Sequence, residues 1–173
     1  MLTEKNIIKC ESVFNEDRTH RYVLRRVWDA KKPLLAVIML NASISDTIVT
    51  DTTTTLVMNN VARLEEYGGV HILNLYSILT NKLNFRFNSD DDLNHPENDT
   101  YIKKSAEECD KVVLAWGKTP DTIERVGIRA NQVMELLTPY ADKLYVITDG
   151  ERRLLHPLVP ALRNGWCLEK YTP

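Results

Sequence analysis

One apolar run constrains this chain more than any other feature. Pro33 opens Leu34-Leu35-Ala36-Val37-Ile38-Met39-Leu40, and Asn41 closes it. The run is apolar on both faces, as a central parallel strand must be when helices cover it. A polar loop rich in Ser, Thr and Asp follows, from Asn41 to Thr52. A helix is then predicted near Thr53–Tyr67, with Val57, Val61 and Leu64 on one stripe. Gly68-Gly69 reads as its stop signal.

The same alternation continues. Val70–Leu75 reads as a second buried strand, and Thr80–Asp99 as a long polar segment. Segments of that length in compact domains are usually functional or mobile. A helix near Glu97–Cys109 leads to a third strand, Lys111–Ala115. A longer helix is expected from Asp121 to Leu137, then a fourth strand, Lys143–Thr148, and a last one near Trp166–Leu168. Ahead of all this, Lys9–Phe14 and Tyr22–Trp28 carry β-formers around the turn residues Asn15-Glu16-Asp17-Arg18, which predicts a hairpin. The expected fold is α/β: a three-layer α/β/α domain spanning residues 1–173, with a mainly parallel four- or five-stranded sheet and an N-terminal β-hairpin.

Composition excludes several classes. Charged residues make up 27% and hydrophobic ones 43% of 173 residues, so the chain can bury a core of its own. The net charge of -2 gives no basic excess of the kind duplex-binding proteins advertise. Cys10, Cys109 and Cys167 are far apart and odd in number, which argues against a disulfide framework or a metal cluster. Cys109, flanked by Glu108 and Asp110, is a poor nucleophile. No apolar run approaches the ~20 residues needed to cross a bilayer. The N-terminus lacks a secretory pattern, so cytoplasm is the expected compartment and no membrane partner is expected. No cofactor or metal is expected: GxGxxG, P-loop, HExxH and GxSxG motifs are all missing from the sequence.

Ligands of open parallel sheets bind beyond the carboxyl ends of the strands. Here those ends read Asn41-Ala42-Ser43, Asn74-Leu75-Tyr76, Trp116-Gly117 and Thr148-Asp149-Gly150, with His156-Pro157 soon after. Each has a plain explanation too. Asn41 and Asn74 suit turns, Trp116 suits an apolar plug, Gly117 a tight turn, and His156 a bonded histidine of surface or core. Asp46 and Asp51 sit in a polar loop, and Thr52–Thr55 reads as a helix entry with hydroxyl caps. Asp90-Asp91-Asp92 reads as a solvated loop, since consecutive Asp residues cannot all face one ion. Arg21, Arg25 and Arg26 form either a charged sheet face or a contact for anions.

The order Tyr22–Trp28, Met39–Asn41, Ser43–Asp46, Asp51–Thr53, Asn74–Tyr76, Asn98-Asp99, Ala115–Gly117, Gly150 and His156–Leu158 resembles the uncharacterised domain-of-unknown-function family 1643. Ala42 and Thr52 stand where that family usually or often has Pro. A looser resemblance is to the uracil-DNA glycosylase superfamily, through a strand ending in Asn and small residues, a second ending in Asn, a third ending in Gly, and a late His-Pro. That resemblance implies an N-glycosidic hydrolase with catalytic Asn41, Asp46 and His156, and ligand contacts at Ser43, Asn74, Tyr76, Trp116 and Gly117. Asn41 or Asp46 would hold water, Asn74 would read the base, Tyr76 or Trp116 would stack on it, and His156 would face the leaving group. The expected partner is then a nucleobase, a nucleotide or nucleic acid. The rival expectation is an inert module binding nucleic acid or protein, built on Arg21, Arg25 and Arg26. The sequence does not speak to oligomeric state.

Overall fold

A computed structural model of the chain describes residues 1–163 and 165–172. Its seven strands form a single sheet: β1 (Lys9–Phe14), β2 (Arg21–Val27), β3 (Leu34–Asn41), β4 (Gly69–Tyr76), β5 (Lys111–Leu114), β6 (Leu144–Thr148) and β7 (Cys167–Lys170). Five α-helices accompany them: α1 (Thr52–Arg63), α2 (Asp90–Leu93), α3 (Glu97–Glu108), α4 (Thr119–Thr122) and α5 (Glu124–Leu136). The strand order is β1-β2-β4-β3-β5-β6-β7.

The sheet is mixed, which corrects the expectation of a mainly parallel sheet of four or five strands. Only β4-β3-β5-β6 run parallel. The β1–β2 hairpin is present as expected, but it does not stand apart. Its β2 pairs antiparallel with β4 and extends the sheet on one side. On the other side β7 adds antiparallel to β6. This last strand is short and mostly exposed, and carries Glu169 and Lys170, features that discourage pairing with another chain at an edge.

Alternation along the buried strands feeds two apolar clusters. Ala36, Ile38, Leu73, Val112 and Leu114 pack with Ile102 and Ala106 of α3 and with Val126, Ala130 and Val133 of α5. Leu35, Val37, Met39, Ile72 and Val113 pack with Val57 and Val61 of α1. Successive side chains of a strand point to opposite faces, so the two clusters lie on opposite faces of the sheet. Val57 and Val61 are fully buried one turn apart, and each contributes about 1.5–3 kcal/mol by leaving water. No helix among the described residues is long and apolar enough to cross a membrane.

Local boundaries differ from expectation where backbone contacts decide them. Helix α1 ends at Arg63, well before Gly68-Gly69, and Glu65 turns the chain with φ 58°. Gly68 is needed for close approach instead: a Cβ there would lie 1.8 Å from the Asp29 carbonyl oxygen. The single helix expected from Asp121 breaks at Ile123, whose extended φ of -125° separates α4 from α5.

Candidate functional site

The parallel core sets the location. The chain leaves β3 toward β4 on one side, while β5 lies on the other. Connections that depart in opposite directions leave a crevice at the carboxyl ends, where open sheets bind ligands. A cavity of about 430 Å³ occupies that position, a volume within the range of small-molecule sites. Its wall comes from four segments: Met39, Asn41 and Ser43 after β3; Asp51, Thr52 and Thr53 at the start of α1; Thr80 and Asn81 after β4; and His156 and Leu158 after β6.

The loop between β3 and α1 is held by an internal scaffold. Asp51 caps α1, with Oδ1 accepting from Thr54 N–H at 2.6 Å. Its Oδ2 accepts from the hydroxyls of Ser43 and Ser45. Burial alone would raise the Asp51 pKa, but these hydrogen bonds outweigh it and hold the carboxyl below its ordinary value. Beneath the loop, Arg21 is almost fully buried and donates to the Ser43 and Ser45 carbonyls. Arg26 donates to the carbonyls of Asp46 at 2.7 Å and Thr47 at 2.9 Å. Desolvation lowers the Arg21 guanidinium to about 10, still charged at neutral pH.

Asn41 and His156 each keep one side-chain polar atom without a hydrogen bond among the described residues. Asn41 Nδ2 donates to the Thr80 carbonyl at 2.7 Å, tying the loops after β3 and β4 together. Its Oδ1 has no donor among the described residues. His156 Nδ1 accepts the Leu158 N–H at 3.2 Å. A nitrogen that accepts carries no proton, so the neutral ring has its proton on Nε2. Burial pushes the His156 pKa down, which favours this neutral form. Gly117 lies against the base of the His156 side chain with φ +73°, and a Cβ there would come within 3.3 Å of His156 Cβ.

The structure therefore gathers Asn41, Ser43 and His156 in one cavity, with Gly117 against the histidine. It places other expected residues elsewhere. Asp46 Oδ1 accepts from the N–H groups of Ile48 and Val49 within its own turn, so it does not face the cavity. Tyr76 donates to the Arg125 carbonyl at 3.2 Å and lines a separate recess with Asp90, Arg125 and Arg129. Trp116 is buried in the α3/α5-side core as an apolar plug. Asn74 is fully buried, in register with Met39, and does not reach the cavity wall. Its Nδ2 has no partner among the described residues.

A family model described as "Protein of unknown function (DUF1643)" matches residues 21–158, well over half of the chain. The chain belongs to that family. No curated protein and no solved structure matches it. The DUF1643 segment contains every strand-end residue of the cavity wall and both arginines under the loop. From sequence Asp51 reads only as a polar-loop residue and part of the Asp51–Thr53 motif, not as a site residue; its signal is its place just before the threonine-rich helix entry. Those threonines lie inside α1, and the aspartate caps it. Thr80 and Asn81 gave no signal beyond lying in a polar segment.

Proposed function

We propose that the cavity binds a nucleobase-containing ligand and hydrolyses its N-glycosidic bond. The observation that carries this reading is that Asn41, a neutral His156 and an ionised Asp51 line one cavity. Breaking an N-glycosidic bond builds negative charge on the departing base and positive charge on the sugar. His156 Nε2–H is the donor for a base oxygen as that charge develops. Asn41 Oδ1 is the acceptor that orients water, and Asp51 supplies negative charge near the sugar. Asp51 is a weak base at its lowered pKa, so its part is electrostatic rather than proton abstraction.

The looser resemblance to uracil-DNA glycosylases supports the roles of Asn41 and His156. This reading treats the sheet as the middle layer of an α/β/α sandwich, with α1 on one face and α3 and α5 on the other. Free thiols at Cys10, Cys109 and Cys167 suit a reducing cytoplasm. The rival binding module loses its basic platform, because Arg21 and Arg26 are buried under the loop and Arg25 pairs with Glu11 and Glu108.

The test is base release, followed by chromatography, from nucleosides, nucleotides and single- or double-stranded oligonucleotides carrying uracil or other modified bases. Release is expected from at least one class. His156→Ala should slow it about 10²–10³-fold, as loss of an oxyanion donor does. Release that ignores the substitution, or no release from any substrate, overturns the reading.

A further inference from the structure

We infer that the cavity selects an uncharged nucleoside and rejects the same compound carrying a phosphate. This deepens the reading above and rests on it.

The argument starts from the charges that face the ligand. Asp51 lines the cavity, and its ionised form is stabilised by Ser43, Ser45 and Thr54. No lysine or arginine lines the cavity among the described residues. The nearest buried cations are turned elsewhere. Arg21 lies behind Ser43 and Ser45 with its donors on their carbonyls, and Arg26 holds Asp46 and Thr47 in the same way. Lys82 follows the wall residue Asn81, and Lys118 follows Gly117, but both are exposed and neither forms part of the wall. The start of α1 does not serve an anion either, because the Asp51 carboxylate already occupies the capping position. A phosphate placed here would meet a carboxylate that forms no salt bridge among the described residues; the Arg21 charge that acts on Asp51 stays behind the loop with its donors on carbonyls, and like-charge juxtaposition of this kind discriminates strongly.

The same wall suits a sugar. Asp51 is served by the two serine hydroxyls and the Thr54 N–H, and the Thr54 hydroxyl also lowers its pKa, so its charge is well satisfied within the wall. Ser43, Thr52, Thr53 and Thr80 also line the cavity, and hydroxyl side chains both donate to and accept from the hydroxyls of a sugar. Asn41 Oδ1 and His156 Nε2–H then serve the base end of the ligand.

The experiment is calorimetric titration of the full chain with adenosine, guanosine, cytidine, uridine and thymidine, each beside its 5′-monophosphate. At least one nucleoside should bind about tenfold or more tightly than its monophosphate. Asp51→Asn keeps a good helix cap and removes the charge, so it should narrow that gap. A monophosphate that binds as tightly as its nucleoside overturns the inference, as does a gap unchanged in Asp51→Asn. Base release from oligonucleotides without nucleoside binding would leave the hydrolase reading standing and remove this one. Failure of both nucleosides and monophosphates to bind, with no base release, removes both.

Discussion

Gly117→Ala separates the integrity of the fold from the integrity of the site. Gly117 has φ +73°, and its Cβ would lie 3.3 Å from His156 Cβ and 3.8 Å from His156 N. Left-handed backbone costs an L-residue about 1–2 kcal/mol. In a domain of this size each kcal/mol lowers the melting temperature by about 2–4 °C, so a fall of about 2–8 °C is expected. Gly150→Ala is the matched control. Its φ of +93° imposes comparable strain, yet a Cβ there meets nothing within 4 Å. Both variants should melt earlier, but only Gly117→Ala should displace His156. Its Nδ1 should lose the Leu158 N–H, which shifts the ring toward a tautomer mixture visible in nitrogen-correlated NMR of the imidazole. Base release should fall with Gly117→Ala and stay near wild type with Gly150→Ala. Equal activity in the two variants, with the His156 tautomer unchanged, would refute the claim that Gly117 sets the histidine.

Three further outcomes follow from the scaffold. Asp51→Ala should destabilise the chain by about 1 kcal/mol through the lost cap, and by more through the lost Asp51 charge that favours the buried Arg21 cation; Asp51→Asn should cost less, and chemical denaturation showing the reverse order would contradict the capping role. Arg21→Met removes the donor for the Ser43 and Ser45 carbonyls, so amide exchange in the first turn of α1 should accelerate; unchanged protection would show that the loop holds itself. His71 is held from 6.5 down to about 4, chiefly by burial and also by the Arg25 charge. The unfolded state therefore takes up the proton first as pH falls. Stability should be fully present above pH 6.5 and decline toward pH 4, and His71→Gln should flatten the urea midpoint between pH 6.5 and 5.

Much of the rim was legible in the sequence because its cause is local. The apolar run ending at Asn41 could only be a covered strand, and the strands ending near Tyr76 and Gly117 followed by the same logic. That logic reached His156 only through its place after the fourth strand, and its neutral tautomer depends on a bond to Leu158 that spacing does not disclose. Asp46 and Asp51 looked equivalent in one polar loop. What separates them is where the helix starts: Asp51 caps it and faces the cavity, while Asp46 closes its own turn. Tyr76 and Asn74 show a different gap. Strand ends mark a rim, but which side of the sheet a terminal side chain takes depends on twist and on partners such as Arg125, which lies far along the chain. The seven-stranded mixed sheet escaped for a related reason. Pairing of β2 with β4 and of β6 with β7 is long-range, and no local pattern encodes which edge a hairpin joins.

The central claim is that the cavity beside β3 and β6 is where the ligand binds. Chemical-shift mapping on the isotope-labelled chain, titrated with the tightest-binding nucleoside, tests it most directly. The account predicts perturbations centred on Asn41, Ser43, Asp51, Thr53, His156 and Leu158, with the His156 Nε2–H protected from solvent exchange on saturation. Perturbations centred instead on Tyr76, Asp90, Arg125 and Arg129, with the His156 ring unmoved, would contradict it.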